Sequence, residues 1–130
     1  MSKAEFEKNC TGLQNVGIPT LDMDGTLKFY EKLGFQVVQS HVNKGKVNFL
    51  RKGDLTIETY EDKEANKRDG AIQHIALDCE SVDKALKYIK SIGIKIDNKI
   101  TELPIYEKGV KSFTIRGPNE EVIEFYEIIK

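Results

Sequence analysis

A chain of 130 residues, 32% charged and 39% hydrophobic, is long enough for one domain, or two small modules sharing a core, that buries roughly two-thirds of its unfolded surface without disulfide staples. Its net charge of -1, with no block of like charge, offers no electrostatic footprint for DNA, RNA or anionic lipid. No apolar run approaches the roughly 18 residues of a bilayer span and Met1 to Cys10 is too polar for a signal-peptide core, so the expectation is a cytoplasmic protein with no nucleic-acid and no membrane partner.

Cys10 and Cys79 form no CxxC and have no metal-type spacing; they read as reduced, unrelated thiols. The flank Ser2 to Cys10 reads as an arm or as a short helix on a dimer surface. The first periodic segment, Leu13 to Ile18, is a half-buried strand: Val16 and Ile18 occupy one face, Leu13, Asn15 and Gly17 the other. A helix follows, with Asp22 or Asp24 as N-cap, an apolar stripe of Met23, Leu27, Tyr30 and Leu33, and Gly34 as its left-handed stop. Phe35 to Glu61 then divides at Asn43-Lys44-Gly45-Lys46 and Lys52-Gly53-Asp54 into three strand-length pieces, giving the order βαβββ. Glu61 to Gly70, charged and without periodicity, reads as a linker.

After the linker the pattern starts again. Shifted by 59 positions, Leu13 to Val37 falls without a gap on Ile72 to Ile96, so that Asn15 meets His74, Leu27 meets Leu86 and Gly34 meets Gly93. The second copy predicts a strand over Ile72 to Leu77, with His74 on the face of Ile72 and Ala76. Its helix is capped by Ser81, striped by Val82, Leu86, Ile89 and Ile92, and stopped at Gly93. Strands follow over Ile94 to Asp97, Val110 to Arg116 and Glu121 to Ile128, with a turn at Gly117-Pro118-Asn119-Glu120. Thr101 to Lys108, which contains Pro104, reads as an irregular rim loop. A second register, shifted by 66, lays Leu55 to Glu61 over Glu121 to Glu127, so that Glu58 meets Glu124. The expected class is α+β: two βαβββ modules in tandem, 12–61 and 72–128 around a linker at 62–71, with curved mixed sheets around a concave pocket.

The alternation Leu55, Ile57, Thr59 faces the helices and turns Glu58 and Tyr60 to the other side; Ile123 and Phe125 likewise leave Glu124 and Tyr126 facing away. A strand face opposite its helices can be plain solvent surface, where Glu and His cost nothing. Glu is nevertheless depleted from strand interiors. His74, Asn15, Glu58 and Glu124 form two pairs of equivalent positions that an approximate two-fold axis brings together, and imidazole and carboxylate donors in that arrangement suit a divalent metal with open coordination positions.

The segments LQNVGIPTLDMDGTLKFYEKLGF, IQHIALDCESVDKALKYIKSIGI and FTIRGPNEEVIEFYEI resemble the vicinal oxygen chelate superfamily of glyoxalase I, extradiol dioxygenases, fosfomycin-modifying enzymes and bleomycin-resistance proteins, over Gly12 to Ile128. The resemblance implies a glyoxalase-like fold and a metal (Ni, Mn or Zn) held by His74, Glu58 and Glu124 with Asn15. It also implies a homodimer in which both chains contribute to each site. Asn15 stands where glyoxalase I has a histidine, and an amide oxygen is a weaker, harder donor, which shifts preference from zinc towards manganese. Pro19 stands where glutathione-using relatives carry an arginine, which argues against glutathione itself.

The function so implied is a metal-dependent glyoxalase I-like lyase or isomerase acting on a small vicinal-oxygen substrate, such as the hemithioacetal of a 2-oxoaldehyde, through an enediolate. Glu124 is the expected base and Glu58 the second carboxylate. The rival is a metal-free small-molecule binding protein of the bleomycin-resistance kind, with Tyr60, Tyr106 and Tyr126 supplying aromatic surface. A ring-cleaving dioxygenase would need a second histidine, and His41, in the second strand, reads as solvent-facing.

Overall fold

The computed structural model describes residues 2–4, 9, 14–42, 44–65, 74–104 and 106–130; Leu13, Ile72 and Cys10, with much of the N-terminal flank and of the 62–71 linker, lie outside them. The repeat is realised as two copies of one unit. Strand β1 (Val16–Thr20) leads to helix α1 (Met23–Lys32) and then β2 (Gln36–Val42), β3 (Lys46–Lys52) and β4 (Leu55–Glu61). In the second module β5 (His74–Asp78) leads to α2 (Val82–Ser91), β6 (Ile96–Leu103), β7 (Val110–Arg116) and β8 (Val122–Ile128). Each module is a four-stranded mixed sheet, ordered β1-β4-β3-β2 and β5-β8-β7-β6, with its leading strand parallel to the last.

The helices start and stop for the same reasons. Asp22 accepts a hydrogen bond from the Gly25 amide (3.0 Å) and Ser81 one from the Lys84 amide (3.2 Å), each satisfying an orphan donor of a first turn. Beyond the last turn Gly34 (φ 90°) and Gly93 (φ 80°) adopt the left-handed conformation, and the amides of Phe35 and Ile94 reach back to the carbonyls of Tyr30 and Ile89. That six-to-one bond closes a Schellman motif in both copies.

One core serves both modules. Ile18, Tyr30, Phe35, Leu50 and Ile57 from the first belong to the same buried cluster as Val82, Ile89, Phe113, Ile115, Ile123 and Phe125 from the second. The helix-covered faces of the two sheets therefore look inward at each other, and the opposite faces look out. Polar ties cross the junction. The Tyr30 hydroxyl donates to Glu121 Oε2 (2.9 Å), the Asn119 side-chain amide to Thr26 Oγ1 (3.0 Å), and the Tyr88 hydroxyl to the Lys32 carbonyl (2.8 Å).

Tyr30 is 1% exposed, and burial, then the charge of Glu121 and the hydrogen bond to it, push its phenol well above the ordinary tyrosine value. A raised acid stabilises the folded state while it keeps its proton. That stability is fully present below the unfolded pKa near 10 and is lost as pH rises towards the folded value. Urea unfolding should thus show stability falling above about pH 10, by up to about 1.4 kcal/mol per pH unit from this group. In Tyr30→Phe the fall should be shallower; identical alkaline slopes in the two proteins would contradict the coupling.

The rim loop expected at Thr101 to Lys108 is corrected: β6 runs through Thr101 to Leu103, and its start lies at Ile96 rather than Ile94. β6 is an edge strand whose register against β7 slips between Ile96 and Asn98 and again between Asn98 and Thr101. Those irregularities break the period-two pattern that marks a strand in sequence, although Ile96 and Ile100 still pack against the core.

Candidate functional site

The sheet registers place the candidate residues on the outward faces. In the first module Glu58 lies across from Gly17 on β1 and Phe49 on β3, and Tyr60 across from Pro19 and Val47. In the second, Glu124 lies across from Ala76 and Thr114, and Tyr126 across from Asp78 and Ser112. Gly17 and Ala76 each stand two residues beyond Asn15 and His74, so each leading residue shares a face with its module's glutamate. Small residues at 17 and 76 leave the glutamate side chains uncovered from that side.

The second module closes its pair in space. His74 Nε2 is 3.6 Å from Glu124 Oε1, with the side chains 46% and 20% exposed. That separation is long for a hydrogen bond. It is within the span of two ligands that share one ion with bonds of about 2.1 Å each. The chemistry of the set, one imidazole nitrogen and carboxylate oxygens reachable from solvent, fits a divalent cation. Thr114, the cross-strand neighbour of Glu124, keeps a buried hydroxyl without a hydrogen-bond partner among the described residues. Tyr126 stands two residues beyond Glu124 on the same face of β8, and desolvation, followed by the charges of Tyr106 and Glu124, raises its phenol above the ordinary value.

Glu58 lies elsewhere. Among the described residues no three His, Cys, Asp or Glu side chains converge on one point. Glu58 instead borders a cavity of about 740 Å³ on the outward face of the first module, with Gly17, His41, Val47 and Tyr60. Ile57 and Ile123 turn into the shared core, so Glu58 and Glu124 leave it from separate sheets. The structure thus brings His74 and Glu124 together and places Glu58 on the outward face of the other module, two residues along the β1–β4 register from the level of Asn15.

His41 is exposed, as expected, and stacks on Phe49 (ring centroids 6.0 Å apart) at the edge of the Glu58 cavity. Sequence reading overlooked Arg51 and Arg116, which face Thr56 and Val122 at equivalent points of the two sheets. The shift that pairs Glu58 with Glu124 would have revealed them by relaxing it one residue across the unequal β3–β4 and β7–β8 turns. Cys79 is free and half-buried, and burial raises its thiol, so it is a poor nucleophile.

Similarity to known proteins bears on the frame. A glyoxalase family protein from Enterococcus faecalis superposes with a TM-score of 0.78 at 20% identity, covering 90% of this chain and 98% of that one. A lactoylglutathione lyase from Agrobacterium tumefaciens gives 0.70 at 17% identity, covering 90% and 93%. The fosfomycin resistance protein FosX from Listeria monocytogenes gives 0.72 at 20% identity, covering 92% and 94%. No curated protein matches in sequence. No helix among the described residues is long and apolar enough to cross a membrane. The model of one family matches residues 12–125, the span of both repeats, and with the duplicated βαβββ frame it establishes that the chain belongs to the Glyoxalase/Bleomycin resistance protein/Dioxygenase superfamily.

Proposed function

We propose that the protein is a metal-dependent, glyoxalase-type lyase or isomerase that works as a homodimer, each site combining Asn15 and Glu58 of one chain with His74 and Glu124 of the other. The observation that carries this reading is the His74–Glu124 pair, exposed to ligand and repeated in position, with an amide for the imidazole, by Asn15 and Glu58. Support for the dimer comes from topology. β1 and β5 are both edge strands, and each carries its ligand residue at or just before its start, so an edge-to-edge approach of β1 on one copy to β5 on another would complete the set.

His74, Glu58, Glu124 and Asn15 would hold the divalent ion, which supplies Lewis acidity to two neighbouring substrate oxygens. Glu124, the carboxylate nearest the imidazole, takes the proton from the oxygen-bearing carbon next to the substrate's carbonyl. The proton is then returned to the adjacent carbon. For a hemithioacetal of a 2-oxoaldehyde this shifts one hydrogen and yields a 2-hydroxyacyl thioester. Tyr60 and Tyr126, on the same faces, wall the substrate off from water.

Calorimetric titration of manganese, nickel and zinc into chelator-treated protein tests the centre. One ion per site should bind, manganese included because Asn15 offers oxygen, and His74→Ala should weaken binding by at least about 100-fold. An absence of binding at millimolar metal would refute the lyase and leave the metal-free ligand-binding reading, for which the Tyr106/Tyr126 surface beside Glu124 would supply the contacts.

A further inference from the structure

The two modules carry an arginine at the same point of the frame and use it differently. Arg51 faces Thr56 across the β3–β4 ladder, and Arg116 faces Val122 across β7–β8, each in the row next to the module's glutamate. Arg116 is neutralised: its Nε donates to Asp97 Oδ2 (3.4 Å) and its Nη1 to the Glu120 carbonyl (3.1 Å). Among the described residues Arg51 donates only Nε, to Thr56 Oγ1 (3.1 Å). Among the described residues no carboxylate pairs with it, and it is exposed on the outward face. The Thr56 hydroxyl, on a residue 5% exposed, fixes the stem and leaves both Nη groups open.

From this asymmetry we infer that Arg51 is the specificity-determining residue of the site, taking an oxyanion, phosphoryl or carboxylate, carried by the substrate beside its vicinal oxygens. A guanidinium held at Nε presents its remaining donors as a planar fork suited to bidentate recognition of such a group. Residues two apart on a strand are about 6.6 Å apart, so the fork lies one such step from the row of Glu58. A three- or four-carbon oxygenated anion would span that distance. Asn15, one residue ahead of β1, continues the β1–β4 register to the level of Thr56, so the fork and the weakest proposed metal donor share a row.

The inference rests on the lyase reading for the identity of the site, and the test separates the two. Dihydroxyacetone, dihydroxyacetone phosphate and hydroxypyruvate share vicinal oxygens and differ in charge; each is titrated calorimetrically into the wild type, Arg51→Gln, Arg51→Lys and Arg116→Gln, with manganese and with EDTA. At least one anion should bind the wild type about tenfold more tightly than dihydroxyacetone, and which one does so distinguishes phosphoryl from carboxylate recognition. That gain should vanish in Arg51→Gln, fall in Arg51→Lys, which keeps the charge without the fork, and survive in Arg116→Gln. Equal affinities for all three compounds in the wild type, or a preference that survives Arg51→Gln, would overturn the assignment. Manganese binding, followed in the same proteins, reports the metal centre separately: its failure with the Arg51-dependent preference intact refutes the lyase and leaves the anion site standing.

Discussion

Two proteins that each fail to bind manganese should regain it when they share a dimer. Glu58→Ala removes a carboxylate from the first module's half-site, and His74→Ala removes the imidazole from the second's. If each site joins the first module of one chain to the second module of its partner, a mixed dimer holds one doubly damaged site and one intact site. Random reassortment after joint refolding makes about half of the dimers mixed, so about a quarter of the wild-type manganese stoichiometry should return. Sites contained within single chains would return none. The expectation follows from the shared core: Ile57 and Ile123 meet in one buried cluster, which leaves Glu58 and Glu124 on outward faces that no single chain brings into contact.

That geometry also marks what the sequence could and could not disclose. Alternation along Leu55 to Glu61 and Glu121 to Glu127 was enough to place both glutamates opposite the helices, because side-chain parity in a strand is local and the registers obey it. The helix stops at Gly34 and Gly93 were legible for the same reason, since a left-handed residue after an apolar stripe is a local demand. The arrangement of the modules was not legible. Met23, Tyr30, Val82 and Ile89 form an apolar stripe whether it covers its own sheet alone or also meets the other module, and periodicity does not distinguish these cases. Nor was the difference between Arg51 and Arg116. It depends on Asp97, on a strand whose irregular pairing hides it from pattern reading, and on a backbone carbonyl in the β7–β8 turn.

The same turn supports the second large effect. Glu121 accepts from the Tyr30 hydroxyl through one oxygen (2.9 Å) and from the Asn119 amide through the other (2.7 Å), while the Asn119 side chain donates to Thr26, which in turn bonds Thr20 (2.9 Å). Thr20 and Thr26 are fully buried and Asn119 is 6% exposed, so this chain of bonds crosses the module junction with little access for water. Removing Glu121 leaves the buried Tyr30 hydroxyl without its acceptor and frees the turn that presents Asn119. A donor stranded in this way, together with the loss of a charge-assisted bond, costs about 3 kcal/mol. In a domain of this size that corresponds to a fall in melting temperature of about 10 °C. Glu121→Ala should show that loss, whereas Glu121→Gln, which keeps an acceptor oxygen for Tyr30, should lose less than half as much. The double-mutant cycle with Tyr30→Phe isolates the pair: the coupling should account for at least about 1 kcal/mol, and additive losses would mean that the junction is held by its apolar core alone. Because the junction sets which way Glu58 and Glu124 face, Glu121→Ala should also redistribute the protein among oligomeric states, whereas a core truncation of equal cost away from the junction should leave that distribution unchanged.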